Sequence, residues 1–160
     1  MTTFRNSPVK GPARPPFRVV SQQANSLGAL EEAISRRMAG NPVARMSRDG
    51  DRILINPTKC GFTMSIMPLY GRIIVTCGGW DDDLDTWADV ERIVTAALDG
   101  DLRLVSVYAN DKPLRFTIER RSGESWVVVG EKTYIRWSFF KPRTTVRYDQ
   151  YQPALKDLMS

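Results

Sequence analysis

The sequence predicts an α+β fold, with two helices packed on an antiparallel sheet of about six to eight strands. Two features lead there. The segments from Asn25 to Gly40 and from Thr86 to Leu98 place apolar residues at helical spacing. Around them lie short apolar or alternating runs, each closed by Gly, Pro, Asn or Asp, the pattern of strands joined by tight turns. A third feature is an echo between the halves. Gly40 and Gly100 each close a helix, sixty residues apart, and Asp51-Arg52 and Leu54 fall in step with Asp111-Lys112 and Leu114. Taken as a duplication, the echo gives two αβββ units with pseudo-twofold symmetry. Their helices would cover one side of the sheet and leave the other face for binding.

The first helix is expected from Asn25 or Ser26 to Gly40, with Leu27, Leu30, Ile34 and Met38 on one face. Glu31 and Glu32 sit in its first half and Arg36 and Arg37 near its end, which suits the macrodipole, and Glu32 and Arg36 have ion-pair spacing. Gly40-Asn41-Pro42 stops it. Val43 to Arg48 and Arg52 to Asn56 flank Asp49-Gly50-Asp51, a hairpin signal. Phe62, Met64 and Ile66 alternate with Thr63 and Ser65, and Arg72 to Cys77 forms the next apolar strand, ended by Gly78-Gly79.

The second helix carries Trp87, Val90, Val94, Ala97 and Leu98 at helical spacing, and Thr86 with Asp89 has the form of a capping box. Strands follow at Leu102 to Tyr108, Leu114 to Ile118, Trp126 to Val129, Tyr134 to Phe140 and, as a short edge, Thr144 to Tyr148. Pro153 precedes a last helical turn, Ala154 to Met159.

Residues 1–24 read as a flexible, basic, proline-containing tail, residues 25–152 as a single α+β domain, and residues 153–160 as a C-terminal extension. The formal net charge is +5, and it is unevenly placed. Arg5, Lys10, Arg14 and Arg18 stand in a tail without acids, whereas residues 31–130 hold more acids than bases. Residues 131–160 are basic again. No run approaches the length of a membrane helix and the N-terminus lacks the apolar core of a secretory signal, so a cytoplasmic protein is expected. Cys60 and Cys77 are expected to be reduced, since a chain of this size needs no staple.

The chain has no histidine. That rules out Ser-His-Asp and Cys-His catalysis within it and His-ligated zinc hydrolysis. No Walker loop, GxGxxG, GxSxG or Ser-x-x-Lys is present, and no cofactor is expected.

Three sets of residues are candidate sites. Asp81, Asp83 and Asp85, in an acidic loop before the second helix, have oxygen ligands for Mg²⁺ or Ca²⁺, and would serve a carboxylate–metal enzyme. Their other role is to favour the positive end of that helix. Trp80 beside them is either an interface anchor or a core residue. Arg136, Trp137, Lys141, Arg143, Arg147 and Tyr148 belong to a basic and aromatic stretch, Lys132 to Tyr151, of the kind that binds single-stranded nucleic acid, or that forms an ordinary half-buried strand pair. The tail residues Arg5, Lys10, Arg14 and Arg18 suit an anionic partner or simply keep the chain solvated. The expectation is a small non-catalytic binding or adaptor protein that uses a sheet face or edge. Its partner would be another protein or a second copy of itself, with nucleic acid as the alternative and no membrane insertion.

Overall fold

A computed structural model describes residues 25–40, 42–134 and 143–152. The tail, the run after Tyr134 through Phe140, Arg136, Trp137, Lys141 and the C-terminal extension lie outside the described residues.

Helix α1 (Leu27–Met38) begins at Ser26, whose extended backbone and side-chain oxygen make it the N-cap; the oxygen accepts from the Ala29 N–H at 3.2 Å. The helix buries Leu27, Leu30 and Ile34. Its acidic residue Glu31 accepts from Arg48 at 2.8 Å, an ion pair to the first strand rather than along the helix.

Strands β1 (Ala44–Asp49), β2 (Arg52–Pro57), β3 (Met64–Leu69), β4 (Arg72–Cys77) and β5 (Trp80–Leu84) form one antiparallel sheet in sequence order. Helix α2 (Trp87–Leu98) follows. Strands β6 (Leu102–Ala109), β7 (Lys112–Ser122), β8 (Ser125–Thr133) and β9 (Thr144–Gln150) form a second antiparallel sheet, in the order β8-β7-β6-β9.

The α+β class therefore holds, but the strands are divided between two sheets where the sequence suggested one. The cause is local closure. Five hairpins turn through two residues each, so every strand but β9 pairs with a chain neighbour. Tyr70-Gly71 and Asn110-Asp111 have positive φ at both turn positions, as a type I′ turn requires. Gly50, Gly78 and Gly123 supply a positive φ at the first position, as in type II′. The two halves agree through helix and first hairpin, then diverge: one is a five-strand meander, and in the other β9 returns beside β6. A matched pair of αβββ units is not what is built.

Helix α2 is capped at both ends. The Thr86 hydroxyl oxygen accepts from the Asp89 N–H at 3.2 Å, and the same hydroxyl donates to the Asp89 carboxylate at 2.6 Å. At the other end the Asp101 N–H bonds to the Ala96 carbonyl and the Gly100 N–H to the Ala97 carbonyl, with Gly100 at φ 77. This is a Schellman ending. The C-cap, Asp99, accepts from Arg37 in the last turn of α1 and so ties the two helix ends together.

One core cluster joins these parts. It includes Leu30 and Ile34 of α1, Val90 and Val94 of α2, Ile53, Met64 and Val75 of the first sheet, and Leu104, Phe116 and Ile118 of the second. The β4–β5 turn is the point of closest approach between sheets. A methyl added at Gly78 would lie 2.5 Å from Leu104, and one at Gly79 would lie 2.2 Å from the Phe116 ring. Both cysteines are free, and burial pushes the Cys77 thiol up to about 12. Among the described residues no helix is long and apolar enough to cross a membrane.

Candidate interaction surface

Alternation assigns each residue of the second sheet to a face. Leu102, Leu104 and Ser106 of β6 point toward the core, as do Phe116 and Ile118 of β7, which register against Ser106 and Leu104. The opposite face therefore carries Arg103, Val105 and Val107 from β6, and Arg115, Thr117, Glu119 and Arg121 from β7. It also carries Trp126 and Val128 from β8, registered against Arg121 and Glu119, and Val146 and Tyr148 from β9, registered against Val107 and Val105. Both helices bury their apolar residues in the core cluster, on the other side.

The centre of this outer face is Arg103. Its guanidinium lies 4.4 Å from the Trp126 ring centroid and 5.0 Å from that of Tyr148. Its Nε donates to the Glu119 carboxylate at 2.6 Å, and a second nitrogen lies 2.6 Å from the same oxygen. Arg121 approaches Trp126 at 5.3 Å. Each cation–π contact adds roughly 0.5–2 kcal/mol, more as water is excluded. The result is a side-chain layer with a fixed arrangement, since the planar guanidinium can stack and hydrogen-bond at once. Around it stand exposed apolar groups: Tyr148 at 61% exposure, Val128 at 54% and Val146 at 48%. Arg115 and Glu131 are 3.9 Å apart at the rim.

Of the residues singled out from the sequence, Tyr148 belongs to this layer. Arg147 does not: as its strand neighbour it points to the other face, where it bonds to Asp149 at 3.1 Å. Arg143 is exposed just before β9, and its carbonyl accepts from the Asn110 N–H. Trp80 is 5% exposed, its ring against Gly130, where a methyl would lie 2.7 Å away; that removes it from any surface the fold presents. Tyr151 is also in the core. It stacks edge-on with Phe62, donates to the Phe62 carbonyl, and burial raises its phenol above the ordinary range.

Asp81, Asp83 and Asp85 are not in a loop. Asp81 and Asp83 belong to edge strand β5, and Asp85 follows it. Asp81 accepts from Lys132, a bond that raises the lysine's pKa, while Arg72 pairs with Asp83 at 3.3 Å and Asp85 at 3.2 Å. No group of three or more candidate ligands converges among the described residues.

Arg103, Glu119, Arg121 and Trp126 were not singled out from the sequence. Their signal was present as the polar half of the alternation in β6 and β7, but only the register of β8 and β9 brings the two aromatics to the same arginine. No family model, no curated protein and no solved structure matches the chain.

Proposed function

We propose that this chain is a non-catalytic binding protein whose contact surface is the outer face of the four-stranded sheet, and that its partner is another protein. The observation that supports this most is the Arg103 guanidinium held between Trp126 and Tyr148 on a face away from both helices. Trp, Tyr and Arg are the side chains that concentrate binding energy at protein interfaces. Here they are held in place before any partner arrives, which lowers the ordering cost of association.

A single-stranded nucleic acid is the second reading, since aromatic rings and arginines also serve bases and phosphates. Charge weighs against it. On this face Arg103 and Arg115 are already paired with Glu119 and Glu131, so a phosphate backbone would have to compete for them.

The test is affinity purification from native cells with three full-length baits: wild type, Trp126→Ala with Tyr148→Ala, and Met67→Ala on the other sheet. Proteins retained by wild type and by the Met67 variant but lost from the double variant are the expected result. Retention by all three, or retention of RNA in place of protein, would contradict the reading.

A further inference from the structure

Among the described residues four strands end the two sheets, and all four carry charge, but not in the same places. Strand β1 has Arg45, Arg48 and Asp49; β5 has Asp81, Asp82 and Asp83; β9 has Arg147 and Asp149. Charges on an edge discourage pairing with another chain. Strand β8 has its charges, Glu131 and Lys132, only at its C-terminal end. From Trp126 to Gly130 it has no charged residue, and Val127, Val128 and Val129 are 50%, 54% and 51% exposed. At nine residues it is also the longest of the four. Its backbone pairs on one side with β7, and among the described residues no strand pairs with the other.

We propose that this edge pairs with the same edge of a second copy, antiparallel about a two-fold axis, joining two four-stranded sheets into one of eight. The strand's own pattern selects that occupant. A β-bulge places Val128 and Val129 together opposite the Ile118–Glu119 step. On either side of the bulge the alternation is symmetric. Trp126 and Glu131 face outward, while Val127 and Gly130, then Ser125 and Lys132, face the core side. A two-fold axis at the bulge thus matches outward with outward and inward with inward residues, as an isologous contact requires. It lays the valines against one another and sets Ser125 of each copy opposite Lys132 of the other, both on the core side. Lys132 keeps its bond to Asp81 and has further donors to offer.

This pairing does not depend on the binding reading above. It does extend it, because the axis stands perpendicular to the sheet and leaves both Trp126–Arg103–Tyr148 layers on the same side.

Sedimentation of the full-length chain over a dilution series tests the proposal. The two-chain mass is expected, giving way to the single-chain mass on dilution. Val128→Lys and Val128→Glu should each sediment as one chain, and their mixture should recover two, since opposite charges then meet at the axis. Val146→Lys, a comparable change on the β9 edge, should leave the dimer intact. Amide exchange on the wild type gives a readout that needs no variant: protection across Ser125–Thr133 should rise with concentration. A wild type that stays single throughout, a dimer that survives Val128→Lys, or one lost only in Val146→Lys overturns the proposal.

Discussion

Tyr70 shows how much one residue can cost. It is 96% exposed, and its φ of 49 lies in the left-handed region that a type I′ turn demands. Asn, Asp and Gly hold such turns with little strain, whereas an ordinary L-residue gives up ~1–2 kcal/mol there. Asn110-Asp111 in the β6–β7 turn satisfies the same geometry with favourable residues. Tyr70→Asn is therefore expected to stabilise the fold by ~0.5–1 kcal/mol, read as a higher denaturant midpoint with an unchanged slope; an unchanged or lower midpoint would contradict it. Nothing else among the described contacts repays Tyr70, which has neither burial nor a hydrogen bond. At this scale the sequence was only partly legible. Pro68 and Gly71 marked the turn, but the position of Tyr70 inside it depended on the register of Leu69 against Arg72.

The elements divide by how local their determinants are. Helix α2 was readable in detail because its cap, its apolar stripe and its closing glycine all lie within one stretch, Thr86 to Gly100. Strand β5 was missed for the opposite reason. Trp80 and Leu84 enclose three aspartates, a composition that reads as a solvated loop, and the strand forms because Thr76, Val75 and Ile74 of β4 offer a ladder to Asp81, Asp82 and Asp83. Its acids have a physical use as edge protection, which only the sheet order reveals. The Gly78-Gly79 pair likewise looked like a mere strand end. Its second role, close approach to Leu104 and Phe116, belongs to packing between residues far apart in the chain. The layer on the second sheet is of the same kind: Arg103, Trp126 and Tyr148 are distant in sequence and meet only through three registers.

For the molecule as a whole, the core that joins the sheets makes a prediction about pH. Burial raises the Cys77 thiol from 9.0 to about 12, and Tyr151 shifts upward for the same reason. Both groups ionise first in the unfolded chain, so their contribution is fully present below pH 9 and is lost as pH rises toward 12. Unfolding free energy should be flat from neutrality to pH 9 and then fall by about 1.4 kcal/mol per pH unit for Cys77, with Tyr151 adding to the decline only above pH 10. Cys77→Ala should remove the part of the decline that begins at pH 9, measured by urea titration at each pH; a wild-type curve with no decline above pH 9 would contradict the assignment. That same core leaves each sheet with one outward face, and among the described residues only the second sheet's face holds a preformed stack of aromatic rings on a guanidinium. Site-specific photo-crosslinking in native cells compares the two faces directly, with the probe at Tyr148 of the second sheet or at Met67 of the first. A discrete protein adduct from position 148 and none from position 67 is the predicted result; an adduct from 67 alone, or none from either, would contradict it.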